Sequence, residues 1–402
     1  MKRETLKTAL CFSLAFVFAF AAYSQSDPFG KCKVVAKNVN GLTICDKSLL
    51  NETITIPLSA LTEELQIVKL DDSDAALVKG NMTEISDNYI LVAGSGAIPY
   101  KLFDRKTGKF LNNIGARGQG PGEYTNVCDQ VLDEKNNRIY LLPWGSRKIL
   151  AYDLKGNVLD PVRLPMEVPK GKIFANSSSG TVSVFAVPWT GSPYVAWTQK
   201  ISGEVIGGIA PVYLSIDPRN SKGQFRGFNF EINSGKNISD MDMFLMNGGE
   251  RLDTLYHYDA KAYKLLPRFA VNYKDAKLPG FAYFELPKYY MGVFWEEKQI
   301  SANVSEGVNY KFFVVEKSTL KGNYFTLEND FLGNIEIGWP SYAFNNGYYV
   351  YNADPGNLHD ALEKVLNSGK KLTLEMRTKL TKLKDSITDN DNNYILYAKL
   401  KK

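Results

Sequence analysis

LLPWGSRKILAYD, residues 141–153, returns 45 residues later as AVPWTGSPYVAWT, residues 186–198. Pro143 and Trp144 fall on Pro188 and Trp189, and Tyr152 falls on Trp197, at one offset. Two markers with one offset indicate repeated units. Around this echo a shorter signature recurs: an aromatic or apolar residue, often an acid, a polar turn, a glycine, and a new apolar run. Phe103 and Asp104 lead to Gly108, Tyr152 and Asp153 to Gly156, and Trp197 to Gly203. Tyr258 with Asp259, and Val315 with Glu316 before Gly322, begin two further copies. Each reads as a β-hairpin. The starts lie 49, 45, 61 and 57 residues apart, about the length of a four-stranded propeller blade with variable loops.

Five such hairpins are followed by a last strand, Tyr394–Leu400, which has no partner after it. Near the N-terminus, Leu65–Leu70 is a strand without a hairpin of its own. Pairing the two completes a sixth blade and leaves the ring without an open edge. The expected fold is all-β: a six-bladed β-propeller over residues 54–402, closed by an N-terminal strand, with residues 25–53 as an extension. Leu358, Leu362 and Val365, then Met376, Leu380, Leu383 and Ile387, have helical spacing, so a small helical insertion over about 356–388 is expected in the last blade.

Composition fits this architecture. The chain has 402 residues, 44% hydrophobic and 12% aromatic, with 23 Tyr and 22 Phe. That is enough apolar surface for a full core, and the rings favour pleated strands. A formal charge of +5 with scattered Lys and Arg excludes a dedicated nucleic-acid surface. Lys2, Arg3 and Lys7 precede an apolar run from Ala9 to Ala22, and small residues at Ala22 and Ser24 frame a cut before Gln25. This is a signal-peptide pattern over residues 1–24, and the run is shorter than the ~20 residues a membrane span needs. The mature chain is therefore expected in the periplasm or outside the cell, monomeric and without a transmembrane span. Cys32 and Cys45 are candidates for a disulfide, and Cys128 reads as a small buried residue of a strand.

The glycine-rich stretch Ile114–Tyr124, IGARGQGPGEY, lacks the third glycine of a dinucleotide fingerprint and the Gly-Lys-Ser/Thr of a P-loop. In the repeat it follows the outer strand of one blade and precedes the inner strand Asn126–Asp133 of the next. Its segment Gly118-Gln119-Gly120-Pro121-Gly122-Glu123-Tyr124 resembles a crossing carried by secreted and lipoprotein six-bladed β-propellers of Gram-negative gut-type bacteria, related to NHL-repeat propellers. Ile54–Asp72, Leu252–Asp259 and Asp391–Lys401 resemble that family's entry strand, an internal strand and the closing strand. The lipid-attachment cysteine of its lipoprotein members is absent. The resemblance implies a fold and an export route, and no reaction.

Chemistry is sparse. His257 and His359 are the only histidines and do not have metal-ligand spacing. Asp389–Asn393 lacks the glycine and the terminal glutamate of a calcium loop. No cofactor or metal is expected. Arg117, Glu123 and Tyr124 in the crossing, with Trp144, Arg147 and Trp189 in turns on the same face, are the candidate ligand-binding residues: flat apolar platforms beside directional hydrogen-bonding groups. The competing structural role has the tryptophans wedged between blades and Arg117 paired with Glu123 to brace the loop. The expected function is recognition of a glycan, a peptide or a cell-envelope partner. The alternative is a metal-dependent lyase or hydrolase, lactonase-like, with an axial calcium held by residues such as Asp129 or Asp133.

Overall fold

The computed structural model describes residues 27–79, 82–211, 254–274, 279–301 and 304–402, with residues 215, 217, 219, 231–233 and 241–246 between them. The expected signal segment, residues 1–24, lies outside the described residues. The chain begins with short strands β1 (Ala36–Val39), β2 (Leu42–Asp46) and β3 (Thr53–Pro57), a single helical turn α1 (Leu58–Leu61), and β4 (Gln66–Lys69). Blade 1 follows as β5 (Thr83–Ile85), β6 (Tyr89–Val92), β7 (Tyr100–Asp104) and β8 (Phe110–Ile114). A two-residue ladder, β9 (Ala116–Arg117) with β10 (Glu123–Tyr124), marks the crossing.

Blade 2 is β11 (Val127–Asp133), β12 (Arg138–Pro143), β13 (Ser146–Tyr152) and β14 (Val158–Val168). Blade 3 is β15 (Gly171–Asn176), β16 (Thr181–Ala186), β17 (Ala196–Lys200) and β18 (Val205–Ile209). Blade 4 is β19 (Glu231–Asn233), β20 (Met241–Met246), β21 (Thr254–Asp259) and β22 (Lys264–Asn272). Blade 5 is β23 (Gly280–Glu285), β24 (Tyr289–Ser301), β25 (Val304–Glu316) and β26 (Gly322–Asn329), edged by β27 (Ile335–Ile337). After α2 (Pro340–Ala343), blade 6 has β28 (Phe344–Asn345), β29 (Tyr348–Ala353), helices α3 (Pro355–Asn367) and α4 (Leu374–Asp385), and β30 (Tyr394–Lys399). Its fourth strand is β4, with Ile67 opposite Leu396, so the ring closes as the sequence predicts.

Each part of the repeated signature has a local job. The aromatic or apolar residue is core: Phe103, Tyr152, Trp197, Tyr258 and Val315 are each at most 1% exposed. The acid closes the turn from the third to the fourth strand. Asp104 accepts from the Thr107 N–H, Asp153 from Lys155 and Asn157, and Asp259 from Lys261 and Ala262. The glycine lets this turn dock against the outer strand of the preceding blade. Gly108 and Gly156 have positive φ, and a Cβ on them would collide with the carbonyl oxygens of Lys69 and Asn113. Blade 4 lacks the glycine: Tyr263 holds positive φ there, and the glycine has moved to the other side of the contact, where Gly207 of β18 accepts the Tyr263 ring. In blade 5 the positive-φ residue is Leu320, not Gly322.

The N-terminal segment is a strap across three blades. β2 runs parallel to β22 of blade 4, and β3 runs parallel to β26 of blade 5, before β4 reaches blade 6. Asn323 accepts from the backbone N–H groups of Asn51 and Glu52, which fixes the approach of β3. Strand order places the turns between second and third strands, and the blade-to-blade crossings, on one face. The described chain ends leave on the other: Phe29 stacks on Tyr289 at the start of β24, and β30 ends beside the first turn of blade 6.

Cys32 and Cys45 are not paired. Both are buried free thiols, in separate hydrophobic clusters. Burial pushes the Cys45 thiol up to about 12. Cys128 is half-buried in β11, its Sγ 3.2 Å from the Leu142 carbonyl oxygen.

Candidate functional site: the crossing-loop face

The crossing from blade 1 to blade 2 is internally braced. Arg117 donates from Nε to the Ile98 carbonyl at 3.2 Å and from Nη2 to Gly94 at 2.8 Å, and its Nη1 reaches the Thr125 carbonyl. It thereby ties the crossing to the turn between β6 and β7. Its guanidinium also lies 5.5 Å from the Tyr124 ring. Tyr124 is 2% exposed. Its hydroxyl donates to the Ile114 carbonyl at 2.7 Å and accepts from the Tyr100 N–H at 2.8 Å. Burial raises this phenol to about 12. Glu123 is exposed, and its carboxylate accepts from the Gly120 N–H at 2.8 Å. Arg117 and Glu123 therefore brace the loop through the backbone rather than through each other. The two glycines with positive φ are Gly115 and Gly122. Gly118 and Gly120 leave room for the Glu123 carboxylate.

Trp144 lies on the tight turn between β12 and β13, and Arg147 is the second residue of β13. Trp144 is 38% exposed, its N–H donates to the Asn126 carbonyl, and the Lys170 ammonium sits 5.5 Å above its ring. Arg147 is exposed, and Gly145 between them has φ +59°. The same ladder position in blade 3 is held by Val187, whose N–H donates to Lys170 as that of Trp144 does to Asn126. Trp189 stands two residues further along a longer loop, half-buried against a cluster with Phe185, Val195 and Tyr258. The two Pro-Trp pairs thus belong to homologous blades without being structurally equivalent.

One feature of this face lies outside the sequence reading. The β24–β25 hairpin joins the second and third strands of blade 5 and carries Trp295 and Tyr310, with ring centroids 6.0 Å apart. Tyr310 meets Trp339, in the crossing to blade 6, edge-on at 4.7 Å, and Phe312 meets it at 5.7 Å. Trp339 and Tyr310 are 46% and 40% exposed. The signal was present in the sequence: Gly338-Trp339-Pro340 occupies a crossing position, as Gly118–Tyr124 does.

The axial carboxylates are engaged in joining blades. Asp129 accepts from the Ile173 N–H at 2.8 Å and lies 3.6 Å from Lys172. Asp133 accepts from Asn136 and from the Ser177 hydroxyl. Calcium at the axis would have to displace these blade 2–blade 3 bonds. His257 is part of a buried network between blades 4 and 5. Arg268 donates to its Nδ1, so the proton on Nε2 is directed at Glu285, 2.5 Å away, and Lys317 donates to the other Glu285 oxygen. Burial alone would raise the Glu285 carboxyl; the His257 hydrogen bond and the Lys317 charge outweigh it and hold it below the usual carboxylate range. Among the described residues, a metal-sized grouping is formed by His359, Asp360 and Glu363, on one exposed stretch of α3. No helix among the described residues is long and apolar enough to cross a membrane.

The chain belongs to the DUF4934 family, a domain of unknown function, whose family model matches residues 42–399. No curated protein matches it. Among solved structures, a Bacteroides fragilis protein described as exported superposes with a TM-score of 0.60 at 17% identity, covering 89% of this chain and all of that one. A DUF4221-family member from Bacteroides vulgatus gives 0.43 at 11% identity, covering 85% and 97%. At these identities the first likeness speaks to the fold.

Proposed function

We propose that this member of the DUF4934 family is an exported binding protein that recognises a glycan on its crossing-loop face. The observation that carries this reading is Trp144, a large exposed ring on a tight turn, with the Lys170 cation over it and Arg147 two residues beyond Gly145. An aromatic platform beside hydrogen-bond donors suits a sugar ring, which has apolar C–H faces and a rim of hydroxyls. The Trp339–Tyr310 shelf adds a second platform on that face. Arg117, Glu123 and Tyr124 serve the site by holding its loop in one conformation, which lowers the entropic cost of binding. Trp189 gives the face a wall rather than a platform.

Export is supported by the charged start, apolar run and small-residue cut of residues 1–24, and by the exported description of the Bacteroides fragilis protein. N-terminal sequencing of protein recovered from a cell envelope should begin at Gln25; a chain still carrying Met1 would contradict it. Glycan-array screening tests recognition. Bound oligosaccharides whose signal disappears in Trp144→Ala, with the melting temperature unchanged, are expected. A large loss of stability with unchanged binding would return Trp144 to a structural role.

A further inference from the structure

Resting on that glycan reading, we infer that the ligand is anionic: an oligosaccharide bearing carboxylate or sulfate groups, lying from Trp144 along β13 and β14. Four cations surround this path. Lys170 stands over the Trp144 ring, and Arg147 is exposed at the start of β13. Further along, Lys148 and Arg163 are direct partners in the β13–β14 ladder, and both are exposed. Like charges directly opposite in an antiparallel pair repel and destabilise the sheet. A neighbouring carboxylate normally relieves this. Among the described residues, Arg147, Lys148 and Arg163 have no ion pair. Glu167 of β14 lies beside Gly145, and Asp160 is a second exposed acid on that strand. Other surface cations do have carboxylate partners, as Lys69 has Asp72 and Lys200 has Glu204.

The unrelieved Lys148–Arg163 pair is thus a site for an anion, and the exposed indole four residues away favours a sugar as its carrier. Lys148 lies about 7 Å along β13 from Ser146, at ~3.3 Å per strand residue, and Trp144 stands beyond the turn. An extended oligosaccharide with repeated anionic groups can meet both the platform and the cation pair. A flexible acidic peptide would satisfy the cations and leave the indole without its flat partner.

The experiment is an array of neutral, uronate-containing and sulfated oligosaccharides, followed by calorimetry on the strongest anionic ligand and a methyl-esterified or desulfated counterpart. Binding confined to anionic members is expected, weakened about tenfold by neutralising the ligand and by Lys148→Gln with Arg163→Gln together, and falling with added salt. Neutral oligosaccharides that bind as tightly, are lost in Trp144→Ala and are indifferent to the charge variants would overturn the inference and leave the glycan reading standing. Glutamate oligomers that bind as well as any sugar, without dependence on Trp144, would overturn it in favour of an acidic peptide. An array with no bound saccharide removes both readings. The double variant removes two repelling cations, so its melting temperature should not fall.

Discussion

Blades 4–6 and blades 1–3 share one plan and finish their outer edges differently. On blades 4 and 5 the fourth strand is covered by β2 and β3, and in blade 6 the fourth strand is itself β4. Among the described residues, blades 1–3 end on β8, β14 and β18 with nothing further in the sheet. Those bare edges carry their own protection: two asparagines in β8, Pro161 and Pro165 in β14, and two glycines in β18. One half is held by a strap and presents an acid–base network inside. The other is held by turn-to-edge contacts and presents Trp144 and its cations outside. Stability and the proposed recognition are therefore expected to separate on mutation.

The largest effect is expected from removing the strap. A chain lacking residues 27–71 loses the fourth strand of blade 6 and the cover of blades 4 and 5. It should show no cooperative urea transition, because the loss is comparable with the whole ~5–15 kcal/mol of a folded domain. A sharp transition near that of the full chain would show that the ring closes without it. Next comes Glu285→Gln, which leaves the Lys317 charge without its counter-ion between blades 4 and 5 and should cost about 3–5 kcal/mol. Because Glu285 titrates below its ordinary value when folded, its contribution is present above the unfolded carboxyl value of 4.5 and is lost as pH falls through the lower folded value. Denaturation midpoints measured from pH 6 to pH 2 should therefore fall less steeply in Glu285→Gln. An identical acid slope would rule out this assignment.

Smaller again is Gly108→Ala, at the joint between blades 6 and 1. It combines positive φ with a collision against the Lys69 carbonyl, for about 2–3 kcal/mol. Gly96→Ala has the same sign of φ in open space and should cost only about 1 kcal/mol. Equal losses at the two sites would mean that the docking contact contributes nothing. Trp144→Ala should be the mildest for stability, within about 0.5 kcal/mol, while abolishing ligand binding.

The blade count and the closure were legible because the signature residues answer to nearby needs: a buried ring, a turn-capping carboxylate, a glycine at a docking contact. The pairing of Tyr394–Leu400 with Leu65–Leu70 followed by elimination, since each strand lacked a neighbour. The strap was harder to read. Thr43 finds Phe269, and Ile54 finds Phe325, across more than half the chain, with no local pattern to announce either pairing. The 45-residue echo misaligned Trp189 because the loop between β16 and β17 is longer than its counterpart in blade 2. Of the candidate site, Trp144 and Arg147 stand exposed as read, whereas Tyr124 is core. The Trp339 shelf escaped because its rings come from three separated stretches and meet only when blade 5 extends its hairpin.

The placement of the chain ends bears on orientation at a surface. Phe29, near the first described residue, and Lys399, three residues before Lys402, both lie on the side away from the crossings. A molecule immobilised through its C-terminal residues, on a sensor chip, would hold its crossing loops outward, toward whatever diffuses past. A tag or tether fused after Lys402 leaves that face unobstructed, whereas random coupling through lysines would modify Lys148 and Lys170 and blunt the very surface under test.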